Sequence, residues 1–420
     1  MLHSLPNEEY CGKIITEGIM KYVVVLGDGM ADLPLKCFGG KTPLEVANKP
    51  NIDKLAKCAE VGIVRTVPEG MKPGSDIANL SVLGYSPRQY YTGRSPLEAV
   101  SIGVQFDVTD VTFRTNLVTL SDEAVYSDKK MVDYSAGEIT TEEARVLINA
   151  VQDALGDEKW SFHPGISYRH CLLLKNGDTG ADLTPPHDIY GKVVGEYLPK
   201  GVNGEILKSF MEKSYDILST HPINIDRIKR GLKPANSIWF WGEGRKPNLP
   251  NFKEKTGLSG AMISAVDLLK GIAIVAGMES IDVPGTTGNI DTNYLGKAQY
   301  ALDALRRHDF VYIHVEAPDE CGHRGEAENK VRAIEDIDKF IVKTLVDGLK
   351  GEDYVIAILP DHPTPISIRT HSSTPVPYLI YRSGEETKGV DTYTELYAES
   401  TGIFRKYGDE IIDYMIGLKK

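Results

Sequence analysis

Uninterrupted apolar runs recur along the outer parts of the chain, separated by stretches with helical spacing. Tyr22–Leu26 has no polar alternation, the pattern of a strand covered on both faces of a sheet. Phe310–Val315 and Tyr354–Leu359 repeat it, and Val376–Tyr381 gives a further strand. Asn51–Ala59 places Ile52, Leu55, Ala56 and Ala59 at helical spacing. Ala261–Leu269 reads as a second helix followed by a strand at Gly271–Val275. Thr292–Arg307 and Glu326–Gly348 complete the helical set. Strands alternating with helices predict an α/β fold on a doubly wound, mostly parallel sheet.

The middle of the chain has another texture. Strand-like runs at Thr112–Leu120 and Tyr168–Leu174 flank one helix, Thr141–Leu155, among turn-rich stretches such as Thr184-Pro-Pro-His-Asp188. This predicts a smaller α+β domain inserted over residues 107–229 of a catalytic domain made of 21–106 and 230–420. Ser237–Trp241 reads as a buried strand rejoining the main sheet. Residues 1–20 read as a lead-in; they lack the basic start and apolar core of a signal peptide and carry Pro6, Asn7, Glu8 and Glu9. No run reaches the roughly 20 apolar residues of a membrane span.

Composition narrows the function classes. Among 420 residues, 47 Lys and Arg against 59 Asp and Glu leave a formal net charge of -12, which argues against non-specific nucleic-acid or membrane binding. Five scattered cysteines form no CxxC pair, so neither a disulfide framework nor a zinc ribbon is indicated and a cytoplasmic compartment fits.

The residues just past the apolar runs carry the candidate chemistry. Tyr22–Leu26 leads to Asp28 within Gly27-Asp28-Gly29-Met30. Phe310–Val315 leads to Asp319, with His323 a helical turn on; Tyr354–Leu359 leads to Asp361-His362, and His371 comes soon after. In open α/β sheets ligands collect beyond the carboxyl ends of the strands, so three separate segments point to one crevice. Taken singly, each residue is as readily a turn aspartate, a helix cap or a core histidine. Together, hard carboxylates and imidazoles suit divalent cations. Ser75, on the Pro73-Gly74-Ser75-Asp76 turn ahead of a helical Ile77–Leu83 stretch, is a cap or a nucleophile at a phosphate-welcoming helix N-terminus. Its hydroxyl is a weak nucleophile near neutral pH unless a cation lowers its pKa.

These segments, with Gly39-Gly40-Lys-Thr-Pro-Leu-Glu45, Tyr91-Thr-Gly-Arg94-Ser-Pro-Leu-Glu98, Asp133-Tyr-Ser-Ala-Gly137 and Glu316-Ala-Pro-Asp319-Glu-Cys-Gly-His323, resemble the archaeal-type cofactor-independent phosphoglycerate mutases of the alkaline phosphatase superfamily. The likeness spans roughly residues 21–415. It implies an alkaline phosphatase-like core and two divalent ions, manganese first, with zinc, cobalt or magnesium compatible with the same ligands. Asp28, Ser75, Asp361 and His362 would hold one ion, and Asp319, His323 and His371 the other. Ser75 would carry the phosphoryl group between the two hydroxyls of glycerate while the inserted domain closes over the substrate, a phosphoglycerate.

Planar, bidentate arginine suits a phosphate and a carboxylate, which singles out Arg94, Arg114 and Arg169. Asn116, His163 and His170 lie in the same motif-like segments, and Lys255 is a candidate for the transferring phosphoryl. Arg227 and Asn236 mark the second junction of the insert. Cys321-Gly-His-Arg324-Gly-Glu326 and Ser237-Ile-Trp-Phe-Trp241-Gly242 look closer to a bacterial branch for which a homoserine-kinase-like role has been proposed. That role stays open as an alternative, although no Gly-x-x-x-x-Gly-Lys-Ser/Thr loop is present. A metal-dependent phosphatase or sulfatase is a third reading. A metal-stabilised binding protein without catalysis should lack a ligand or the serine, and none is missing.

Overall fold

Lys21–Gly27 pairs in parallel with Phe310–Val315 on one side and Tyr354–Leu359 on the other, aligning Gly27 with Val315 and Leu26 with Leu359. The structure, a computed structural model, describes residues 20–419. The lead-in read over residues 1–20 lies outside the described residues except for Met20. The three strands are the centre of an eight-stranded sheet. Gly260–Ile263 and Glu279–Ile281 extend it beyond Phe310–Val315; Val376–Arg382, Glu60–Val64 and Phe404–Arg405 extend it beyond Tyr354–Leu359. Only Val376–Arg382 runs against its neighbours.

Both faces of this sheet are covered. Val23, Val25, Ile313 and Ile356 enter one core and Val24, Leu26, Tyr312 and Val355 the other, which is why these strands lack polar alternation. Because the central strands are parallel and in register, their carboxyl ends open at one edge, and Asp28, Asp319 and Asp361 lie there.

A second sheet is antiparallel. Val111–Leu120 pairs with Arg169–Leu174 on one side and Ser237–Arg245 on the other, with Trp160–His163 outside and Met131–Asp133 at its end. Helices Thr141–Leu155 and Gly204–Ser219 cover its core face with Leu147, Val151, Leu207 and Phe210. The opposite face receives the short helix Ser95–Ser101, where Ala99 packs on Cys171 and Leu173. That helix is pressed from behind by Asp267–Val275. A Cβ on Gly271 would sit 1.9 Å from the Leu97 carbonyl oxygen, so only glycine permits the approach.

Three expectations are corrected. Ser237–Trp241 does not rejoin the main sheet; it pairs with Val111–Leu120, because Trp239 and Phe240 fill the second core. The order over 261–275 is reversed, with strand Gly260–Ile263 preceding helix Asp267–Val275. Both pieces are apolar and short enough to satisfy either period; the usable signal was Ser264-Ala-Val-Asp267, a serine three residues ahead of an acidic residue before an apolar run. The insert also holds two helices beyond the one expected, Gly204–Ser219 and Pro222–Lys229. Among the described residues, no helix is long and apolar enough to cross a membrane.

Candidate metal centre and anion pocket

Gly29 makes the first turn possible. It has φ of +59°, and a Cβ there would lie 2.7 Å from Asp319 Oδ1, so the backbone after Asp28 runs directly under Asp319. Asp319 and His323 lie a turn apart on helix Ala317–Arg324 and face the same side. His371 is delivered by the loop after Asp361.

Besides a set of Asp28, His314 and Glu316 that shares Asp28, two groups of ligand atoms result. Asp319, His323 and His371 form one: His323 Nε2 is 3.2 Å from Asp319 Oδ2, His371 Nε2 is 3.5 Å from Asp319 Oδ1, and the two Nε2 atoms are 2.9 Å apart. Asp28, Asp361 and His362 form the other, with His362 Nε2 3.7 Å from Asp28 Oδ1 and 3.4 Å from Asp361 Oδ2. Ser75 Oγ stands 3.4 Å from the same Nε2. The rings of His362 and His371, 4.2 Å apart, join the groups.

Ser75 opens helix Ser75–Val82, and Asn79 fixes it. The Asn79 amide donates to the Ser75 carbonyl and to Asp361 Oδ2, both at 2.9 Å, while Tyr312 donates to Asn79 Oδ1 at 2.7 Å. Asp361 Oδ1 accepts from the Gly29 and His362 amides.

The donor set fits divalent cations. His323 Nδ1 donates to the Arg369 carbonyl and His362 Nδ1 to Thr364 Oγ1, which leaves both Nε2 lone pairs facing carboxylates. Asp28 Oδ1 and Glu316 Oε2 are buried without a partner. Burial, then the charges of Asp361, Glu316 and Asp319, push the Asp28 carboxyl well up; burial and Asp319 raise Glu316 to about 8. Burial opposes ionisation of Asp319 too, but His323 and His371 hold it well below the usual carboxylate range. So many buried carboxyls cannot all ionise without added positive charge.

Beside this centre the arginines converge. Arg94 Nε and Arg114 Nη1 donate to the same oxygen, Glu98 Oε1, at 2.8 and 2.9 Å. Arg169 completes the group; its charge, with those of Arg114 and Arg94, holds Glu98 below its ordinary value against the effect of burial. Arg114 Nε and Arg169 Nε are buried with no partner. Burial and the neighbouring guanidiniums pull Arg114 down to about 10. Three cations around one carboxylate leave an excess of positive charge that only an anion removes. Arg94 also feels Asp76, next to Ser75, and Glu316, which places the arginines against the metal centre.

Other sequence candidates are not brought there. Asn116 is fully engaged, accepting from Trp241 Nε1 at 3.0 Å and donating to the Tyr134 carbonyl. His170 alternates to the other face of the sheet from Arg169 and accepts from the Gly165 amide at 3.0 Å. His163 lies on the outer strand, 2.8 Å from Ser161 Oγ. Lys255 is at the opposite edge of the main sheet, where the strands begin; its neighbour Phe252 stacks on Phe310 and its Nζ is 3.9 Å from Asp413. A lysine-rich stretch signals exposure more than a site. Arg227 and Asn236 are structural, tying Lys233 and Ala136, and both backbone groups of Leu120.

Sequence reading missed Glu98, whose i,i+4 spacing from Arg94 was a usable signal. It also missed His314, hidden in an apolar strand, Glu316, at the start of the helix that follows, and His187, hidden in a proline turn.

The sequence model described as 2,3-bisphosphoglycerate-independent phosphoglycerate mutase matches residues 56–224. A protein of Geobacter sulfurreducens named a probable 2,3-bisphosphoglycerate-independent phosphoglycerate mutase is 50% identical, over 94% of this chain and 100% of its own length. The chain belongs to the 2,3-bisphosphoglycerate-independent phosphoglycerate mutase family. A member from Methanothrix thermoacetophila is 49% identical over 94% of this chain and all of its own. Among solved structures, the cofactor-independent phosphoglycerate mutase of Thermoplasma acidophilum aligns with a TM-score of 0.62 and 27% identity, covering 95% of this chain and 99% of that one. The PH0037 protein of Pyrococcus horikoshii aligns with a TM-score of 0.80 at 30% identity, over 96% and 98%.

Proposed function

We propose that this chain interconverts 3-phosphoglycerate and 2-phosphoglycerate without 2,3-bisphosphoglycerate, through a phosphoserine at Ser75. The observation that carries this reading is the pairing of Ser75 and His362, 3.4 Å apart, with a three-arginine pocket alongside. A phosphatase has no use for a second anion site; a mutase must hold glycerate while the phosphoryl group rests on the protein. The names of the relatives at about half identity support the same activity.

Asp28, Ser75, Asp361 and His362 are assigned to one divalent ion and Asp319, His323 and His371 to the other, with manganese the proposed metal. Bound there, such ions lower the pKa of Ser75 and neutralise phosphoryl oxygens. Ser75 Oγ receives the phosphoryl group at the N-terminus of its helix, whose free amides favour negative charge. Arg94, Arg114 and Arg169 bind the substrate's carboxylate and phosphate in place of excess pairing with Glu98. The antiparallel unit, running to Arg245 rather than to 229, covers the cleft and keeps water from the phosphoserine. The four described cysteines are all free, which suits a reducing, cytoplasmic setting.

The test is a coupled assay of purified protein with 3-phosphoglycerate and manganese, without 2,3-bisphosphoglycerate, with a chelator control. Metal-dependent 2-phosphoglycerate supports the reading. No product from metal-loaded protein overturns it and turns the assignment to transfer onto another acceptor, homoserine first.

A further inference from the structure

An imidazole of the antiparallel unit lies beside the arginine pocket, on the aromatic support of Arg114, and is assigned to neither the metals nor the phosphoryl group. His187 lies on the short turn Pro186–Ile189, behind two prolines that hold its backbone. Its ring meets Trp241 edge-on at 5.3 Å and Tyr134 at 6.2 Å. Trp241 carries the Arg114 guanidinium 4.4 Å from its ring centre, so His187 and Arg114 share one aromatic support. The charges that reach His187 are those of Asp188, Arg114, Arg94 and His323, three of them from the two halves of the proposed site. Its side chain is 48% exposed and its nearest charged partner, Asp188 Oδ1, is 3.6 Å from Nε2, beyond a normal hydrogen bond. Of two other histidines of this unit, His163 Nε2 meets Ser161 Oγ at 2.8 Å, and His170 accepts from the Gly165 amide through Nδ1, its Nε2 buried without a partner on the face of the sheet away from Arg169.

Phosphoryl exchange through Ser75 leaves a proton to be handled on the glycerate side. When the O3–P bond breaks, its electron pair stays on O3, which must gain a proton to become the hydroxyl of free glycerate. When O2 attacks the phosphoserine, O2 must lose one. Resting on the mutase reading, we propose that His187 gives the proton to the departing glycerate oxygen and takes one back from the attacking hydroxyl. In the first half the O3–P bond breaks, the Ser75 Oγ–P bond forms, and imidazolium becomes imidazole. In the second the O2–P bond forms, the Ser75 Oγ–P bond breaks, and imidazole becomes imidazolium. Ser75 enters and leaves in the same protonation state, so the count of protons closes without another reactant.

The charges around the ring support this use. In the metal-free protein, burial, Arg114, Arg94 and His323 lower the proton affinity of His187 against the pull of Asp188. Substrate brings a phosphate and a carboxylate that neutralise the arginines, which raises its proton affinity when a proton donor is needed. Both directions of the reaction begin with a leaving glycerate oxygen, so both need the protonated ring and both lose rate as pH rises through its value in the complex.

The experiment compares wild type, His187→Ala and His187→Asn in both directions, across pH, with and without added imidazole. The half-exposed position should tolerate both changes, and circular dichroism of the two variants checks their fold. The expected result is a fall in kcat of about 10²- to 10⁴-fold with KM little changed, loss of the falling alkaline limb, and partial recovery of His187→Ala by imidazole. An active wild type with variants within about twofold of it overturns the inference alone, as does a loss confined to KM that imidazole does not repair. A wild type that makes no 2-phosphoglycerate overturns the mutase reading, and this inference with it.

Discussion

His314 Nε2 lies 2.8 Å from Asp28 Oδ2, and both side chains are fully buried. Burial, then the charge of Lys297, drives the His314 pKa down to about 3, so the ring is neutral and can donate only once. An ionised Asp28 Oδ2 can only accept, which assigns the donated proton to Nε2, and Ser264 Oγ, 3.1 Å from Nδ1, then donates to that nitrogen. The ring thereby turns Asp28 so that Oδ1 faces His362, 3.7 Å from its Nε2.

Replacing His314 with Leu should therefore weaken metal binding at this position about 10- to 100-fold, the usual cost of losing the group that orients a ligand. Titration of metal-free protein with manganese measures it. Unchanged affinity in a folded variant would rule out the orienting role.

Ser75→Ala should lower mutase turnover by about 10⁴-fold or more while leaving the fold, and the metal content at saturating manganese, near those of the wild type. Denaturing mass spectrometry of protein quenched during turnover should show a phosphoryl adduct in the wild type and none in the variant. Turnover retained in Ser75→Ala excludes the covalent route.

Removing the metal should destabilise the protein. Asp28, Asp361, Asp319 and Glu316 bring four carboxyl groups into one buried place, and a cation that binds only the folded chain adds about 2.7 kcal/mol at a hundredfold excess over its Kd. At about 1 °C per kcal/mol for a chain of 420 residues, the thermal midpoint should fall by about 3 °C for each ion removed by chelator and recover with manganese. Identical midpoints with and without chelator would contradict the assigned sites.

Glu395 supplies a pH dependence away from the metals. Its carboxyl accepts from the Asp32 amide at 3.1 Å and from Thr42 Oγ1 at 2.7 Å, yet burial raises it to about 7. A carboxyl whose pKa is raised in the folded state binds protons more tightly folded than unfolded. Its contribution is complete below about pH 4.5 and disappears as pH rises through 7, a loss of the order of 2 kcal/mol once partial exposure is discounted. Glu395→Gln removes that slope, so the stability of the variant relative to wild type should climb between pH 5 and pH 8 in urea titrations. A constant difference across that range would show that the carboxyl is ionised throughout.

The sequence was most legible where one physical requirement dominated. Strands Phe310–Val315 and Tyr354–Leu359 and helix Thr141–Leu155 have the bounds that burial and amphipathic spacing predict. The candidate metal ligands were visible because parallel strands end together. What failed depended on partners. Nothing in Ser237–Trp241 says which sheet it joins, since an apolar strand suits either core. Helix Gly204–Ser219 had a usable period in Leu207, Phe210, Met211 and Leu218, broken for the eye by intervening lysines and glutamates. Arginines were chosen for their chemistry and three met at Glu98, whereas Lys255 was chosen for charge alone and lies at the wrong edge of the sheet.

The antiparallel unit begins and ends as a cross-strand pair, with Val111 opposite Arg245. Its entry and exit are therefore a residue pair apart, close enough for a short turn to replace the whole unit without displacing the parallel sheet. A chain wired this way is partly modular: Arg114, Arg169 and His187 can change together by exchange of one contiguous segment, while Arg94, Glu98 and the candidate metal residues stay behind.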